Sequence, residues 1–193
     1  MRPEDGSVKN ALLTGHTVVF GGSFNPPHMG HQMACLYLLQ ALQAEAIWMV
    51  PVCHHPFGKP LAPYRLRHRM CELLAAPFAG RVVVCDVEMT AGTVHTFDTL
   101  TYLLQRHPTR CFALAVGADI LVERDAWYRW KDIEAMVPIT VLGRTGFGDA
   151  EMGLNLPQVA SRELRARVAA GHSLLGLVPA AVAQFVREHG LYR

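Results

Sequence analysis

Residues 17–31 read Thr-Val-Val-Phe-Gly-Gly-Ser-Phe-Asn-Pro-Pro-His-Met-Gly-His, and few folds accommodate that order. The β-branched and aromatic run Thr17 to Phe20 predicts a buried strand, two glycines end it, and an apolar helical pattern begins near Met29. Gly21 and Gly22 let a ligand approach the backbone closely, Ser23 and Asn25 offer short polar side chains, and Pro26-Pro27 stiffen the turn. His28 and His31 stand three apart at the mouth of the helix, where free N–H groups and the helix dipole favour anions. Either histidine alone would equally suit a solvated surface or a metal. Strand, glycine loop and paired imidazoles taken together predict a loop that holds a phosphate chain.

The rest of the chain alternates short apolar runs with helical patterns. Cys35, Leu38, Leu39 and Leu42 predict a helix from Met29 to Ala44, and Ala46 to Val52 predicts a second strand, parallel to the first through a right-handed crossover. His54, His55, Pro56 and Lys59 then fall on the same rim as His28 and His31, since ligands in such sheets sit beyond the carboxyl ends of strands. Tyr64 to Ala76 predicts a helix burying Leu66, Met70, Leu73 and Leu74, with Arg65, Arg67 and Arg69 mostly outward; Val82 to Val87 predicts a third strand that Glu88 ends. Thr93 to Leu100 is a polar helix entry, and Cys111 to Val116 is a fourth strand followed by Gly117-Ala118-Asp119. An ionised aspartate there, acceptor-only, suits a pair of ribose hydroxyls. Trp127, Tyr128 and Trp130 follow, with Trp130 assigned to the core. Ile139 to Leu142 is a fifth strand, Thr145 to Pro157 a glycine-rich segment expected to be mobile, and Pro179 to Gly190 a closing helix with Val182, Phe185 and Val186 on one face.

The pattern predicts an α/β fold: a doubly wound, Rossmann-like parallel sheet with helices on both faces. Its 193 residues suit a single domain over 16–193 behind a flexible leader, 1–15. Lys+Arg 18 against Asp+Glu 16 leaves a net charge of +2, too little for a nucleic-acid surface. No run reaches membrane-spanning length, and residues 1–16 lack the basic-then-apolar pattern of a secretion signal. Five cysteines without Cys-x-x-Cys spacing read as reduced core thiols of a cytoplasmic protein.

Gly21-Gly22-Ser23-Phe24-Asn25-Pro26-Pro27-His28-Met29-Gly30-His31 resembles the first motif of the bacterial nicotinate mononucleotide adenylyltransferases, Gly-Ser/Thr-Phe-Asp/Asn-Pro followed by His-x-Gly-His, within a wider nucleotidyltransferase superfamily. The resemblance runs from about Val18 to Tyr192. It implies transfer of adenylate from ATP to nicotinate mononucleotide, giving nicotinic acid adenine dinucleotide and pyrophosphate, with Mg²⁺ accompanying ATP. The same resemblance implies that His28, His31, Lys59 and Arg165 carry the charge developing on the phosphates, and that Gly21, Gly22, Ser23, Phe24 and Ser161 join Arg165 around ATP. Asn25, Thr96, Asp98, Gly117, Asp119, Trp127 and Tyr128 fall to the mononucleotide and ribose side, Trp127 by stacking on the pyridine ring. Two departures stand out. His95 replaces an aromatic residue, and Val159-Ala160-Ser161-Arg162-Glu163-Leu164-Arg165 stands where the family has Ile-Ser-Ser-Thr-x-Ile-Arg, losing two hydroxyls at Ala160 and Arg162. A related transferase using nicotinamide mononucleotide or another phosphate acceptor, or a non-catalytic nucleotide-binding module, stays open, as does a homo-oligomer.

Overall fold

The computed structural model describes residues 11–54, 60–118, 120, 124–143 and 159–193. Its centre is a five-stranded sheet in the order β3-β2-β1-β4-β5, with β1 His16–Gly22, β2 Ala46–Pro51, β3 Val82–Val84, β4 Cys111–Gly117 and β5 Ile139–Leu142. All four pairings are parallel. The chain begins in the middle, winds outward through β2 and β3, then crosses back to β4 and β5. The carboxyl end of β1 therefore lies where the winding reverses, the place where such sheets open a crevice.

Strand residues alternate between two covered faces, so each strand is apolar on both sides. Val18 and Phe20 of β1 and Ala113 and Ala115 of β4 join one core with helices α1 Met29–Gln40, α2 Tyr64–Ala75, α6 Ser161–Ala169 and α7 Ala180–Glu188. Val19, Phe112, Leu114 and Val116 join the other, with α3 Val87–Ala91, α4 Thr96–Arg106 and α5 Trp130–Met136. Trp130 is buried there, as expected, and Val182 and Val186 bury one face of α7.

Several local expectations are corrected. The first helix stops at Gln40 rather than Ala44, because Gln43 turns into a left-handed conformation (φ 57°) that brings Ala44 N–H to Leu38 O. The third strand ends at Val84; a short helix begins after Asp86, which holds the N-cap position without a side-chain bond, so Val87 and Glu88 lie on α3. Arg67 points inward and is 1% exposed. Of the five thiols only Cys35 and Cys71 are buried; Cys53 and Cys85 are half-buried and Cys111 is exposed. Residues 1–10 of the expected leader lie outside the described residues, as does the segment 145–157; Leu13 is buried in the core and its N–H donates to Leu42 O at 2.7 Å.

Candidate active site

The loop leaving β1 is shaped by a packed phenylalanine. Phe24 takes a left-handed backbone (φ 43°), costly for a bulky residue, and is held there by edge-on contact with Phe20 at 5.7 Å and His31 at 4.9 Å. A Cβ on Gly22 would meet the Phe24 ring at 3.1 Å, so any larger residue there would press on that ring, whereas Gly21 faces open space. Behind the loop the two imidazoles lie 3.8 Å apart at the start of α1, His28 buried and His31 half-buried. They form a reciprocal cap: His31 Nδ1 accepts the His28 backbone N–H at 3.1 Å, and the His28 side chain meets the His31 amide. With Nδ1 accepting, neutral His31 carries its proton on Nε2.

A polar knot holds the loop from beneath. Asn25 is buried, and both ends of its side-chain amide bond within the protein: Oδ1 accepts from Ala62 N–H at 3.2 Å and Tyr192 O–H at 2.8 Å, while Nδ2 donates to Pro60 O at 3.4 Å. Arg67 donates through Nε to Ala62 O at 2.8 Å, through Nη1 to Ser23 O at 2.9 Å and through Nη2 to Val52 O at 2.7 Å. From the carboxyl side of the chain, Ser161 Oγ donates to Pro26 O at 2.9 Å and Arg165 Nη1 to Asn25 O at 2.8 Å, so the amino end of α6 docks on the loop. The α1 amide of Met29 donates to Leu177 O at 3.0 Å. Ala160 occupies the N-cap of α6 without a side-chain bond, and Arg162 is exposed.

Beyond β2 a cleft of about 620 Å³ opens between the start of α2, α3 and the entry to α4; Cys53, His54, Tyr64, Glu88, Thr93 and Val94 are among its walls. Glu88 Oε2 accepts from Cys53 N–H at 2.9 Å. Burial pushes the Glu88 carboxyl up to about 7, against the opposing pull of the Cys53 amide and the Arg67 charge. Among the described residues the Tyr64 hydroxyl has no hydrogen-bond partner, and burial pushes it above the usual phenol range. At the α4 entry Thr96 and Asp98 are half-buried and Thr93 and Thr99 share a hydroxyl hydrogen bond of 2.8 Å. His95 lies 4.6 Å from the exposed Tyr128 ring, which also meets Phe97 edge-on at 6.1 Å. Trp127 is half-buried and edge-on to Trp130 at 5.5 Å, and Gly117 closes β4. Lys59, Asp119 and His55 lie outside the described residues.

The sequence reading thus finds its loop, imidazoles and α6 residues gathered in one place. Thr96, Asp98 and Tyr128 gather at a second, aromatic patch around the start of α4. Three residues that build the site were missed: Arg67, Glu88 and Tyr192. Arg67 carried a signal, sharing the helical face of Met70, Cys71 and Leu74 at spacings of three, four and seven.

The cytidylyltransferase-like family model matches residues 19–181. A probable nicotinate-nucleotide adenylyltransferase of Anaeromyxobacter dehalogenans is 44% identical over 179 residues, covering 91% of this chain and 95% of that relative. The protein so named in Myxococcus xanthus is 38% identical, covering 100% and 97%. Among solved structures, a Plasmodium falciparum nicotinic acid mononucleotide adenylyltransferase complexed with NaAD superposes with a TM-score of 0.79 at 18% identity, over 92% of this chain and 97% of that one.

Proposed function

The chain belongs to the cytidylyltransferase-like family and, within it, to the nicotinate-nucleotide adenylyltransferases, and from that premise we propose that it transfers adenylate from ATP to nicotinate mononucleotide. The products are nicotinic acid adenine dinucleotide and pyrophosphate, a step of NAD biosynthesis. The observation that carries the chemistry is the capped imidazole pair at the crevice: the His28 amide holds His31 in one tautomer, with Nε2–H as its donor. A donor fixed in advance stabilises charge without reorganising during reaction.

The mononucleotide phosphate attacks the α-phosphorus of ATP in line, and pyrophosphate leaves. Catalysis is then positioning and charge stabilisation, with no covalent enzyme intermediate. His28, His31, Arg165 and Lys59 hold the developing charge. Gly21, Gly22, Ser23 and Ser161 shape the triphosphate side, while Phe24 and Asn25, whose side chains are engaged inside the protein, act through the form of the loop. Thr96, Asp98, Gly117, Asp119, Trp127 and Tyr128 serve the mononucleotide. Mg²⁺ carried on the ATP phosphates with its own waters belongs to this reading. Bound there, Mg²⁺ would neutralise phosphate charge. A cytoplasmic location belongs to the same reading and is supported by five unpaired cysteines.

Pyrophosphate release with ATP and Mg²⁺, comparing nicotinate with nicotinamide mononucleotide, tests the proposal. Strong preference for the nicotinate is expected. Equal use of both would make the enzyme dual-specific, and ATP binding without release would leave a non-catalytic module.

A further inference from the structure

The peptide unit joining Val52 to Cys53 is gripped at both ends. Arg67 Nη2 donates to its carbonyl oxygen at 2.7 Å, and Glu88 Oε2 accepts from its N–H at 2.9 Å. A peptide group is negative at oxygen and positive at N–H, so a guanidinium on one end and a carboxylate on the other match its dipole, and rotating the plane would break both charge-assisted bonds. The two side chains come from different helices, and both are buried. No ion pair joins them directly among the described residues; the peptide stands between them.

This peptide occupies a junction. On one side, Arg67 Nη1 reaches Ser23 O and the Val52 N–H donates to Gly22 O at 3.0 Å, tying it to the phosphate loop. On the other, Cys53 and His54 form part of the cleft wall. We propose that Arg67 and Glu88 are positioning residues that clamp the Val52–Cys53 peptide, fixing the phosphate loop and the cleft wall in one relation so that the two substrates are presented together. The proposal rests on the function given above.

The clamp is pH-sensitive. Arg67 and Tyr64 face Glu88 from α2, Cys53 faces it from the loop after β2, and Asp86 stands at the start of α3. With the carboxyl pushed up to about 7, the charged form of the clamp assembles as pH rises through neutrality, and below it the protonated acid holds the amide more weakly.

The test is steady-state pyrophosphate release by the whole chain between pH 6 and 9, with wild type, Glu88→Gln and Glu88→Ala. Substrate phosphates titrate equally for all three proteins, so the ratio of KM values isolates Glu88. Expected is a KM for nicotinate mononucleotide about tenfold above wild type for Glu88→Gln at pH 8, converging towards wild type at pH 6, with kcat changed less. Glu88→Ala should raise KM at every pH and should speed hydrogen exchange at the Cys53 amide. Unchanged KM profiles in both variants while the Cys53 amide exchanges faster would overturn the clamp's positioning role. Absence of turnover by wild type would instead refute the proposed substrate, and slow Cys53 exchange in Glu88→Ala would by itself refute the grip.

Discussion

Replacing Arg67 by methionine keeps most of the buried volume and removes every hydrogen bond the guanidinium makes. Three main-chain carbonyls, Ser23, Val52 and Ala62, accept from it at 2.7–2.9 Å. A hydrogen bond from a charged group contributes about 1.5–3 kcal/mol, which for three such bonds gives a gross loss of roughly 5–9 kcal/mol. Relief from burying the guanidinium offsets several kcal/mol of this, leaving a net destabilisation of about 3–5 kcal/mol. Against a usual domain stability of about 5–15 kcal/mol that is a large fraction. Urea unfolding followed by tryptophan fluorescence reads it, since Trp48 lies on β2 beside the affected loop. Arg67→Lys should lose about half as much, because one ammonium on a flexible stem cannot reproduce a fork that reaches three segments at once. A loss below about 1 kcal/mol for the methionine variant would show that water satisfies those carbonyls and that the arginine does not hold the loops.

His31→Ala should lower kcat at least about 100-fold while costing only about 1 kcal/mol of stability from the lost cap, checked by pyrophosphate release beside a urea curve. Glu88→Gln should gain stability relative to wild type as pH rises. Between the unfolded value of 4.5 and about 7 the folded chain keeps a proton that the unfolded chain has released, so wild-type stability falls across that window by about 3 kcal/mol in total. Denaturation curves at pH 5 and pH 8 should show the gap shift by most of this, and a constant gap would contradict it. Ala160→Ser supplies the missing N-cap hydroxyl of α6, whose amino end docks on the loop after β1. Its melting temperature should rise by a few degrees, from about 0.5–1 kcal/mol, and its KM for ATP should fall.

The strand, glycine loop and helix around Gly21 are legible because a continuous β-branched apolar run and a 3.6-period pattern meet at a glycine pair. The other four strands are placed by their short apolar runs, as a parallel sheet covered on both faces requires. Charge argues for an outward Arg67, but its register matches Met70, Cys71 and Leu74, the residues α2 buries. Val82-Val83-Val84-Cys85 continues apolar past the last pairing with β2 and so predicts a longer strand ending at Glu88; Asp86, a residue type favoured at helix starts, is the one local sign of α3. The bond from Tyr192 to Asn25 spans 167 residues, and no local pattern encodes a contact of that range.

That long contact orders events on the ribosome. Asn25 emerges early, but Ser161, Arg165 and Tyr192, which close upon its loop, are translated much later. At about 5–20 residues per second, the wait for residue 192 is on the order of ten seconds or more. A nascent chain can therefore pair β1 with β2 while the loop after β1 remains unclosed, and that loop gains its full set of contacts only once Tyr192 has been made.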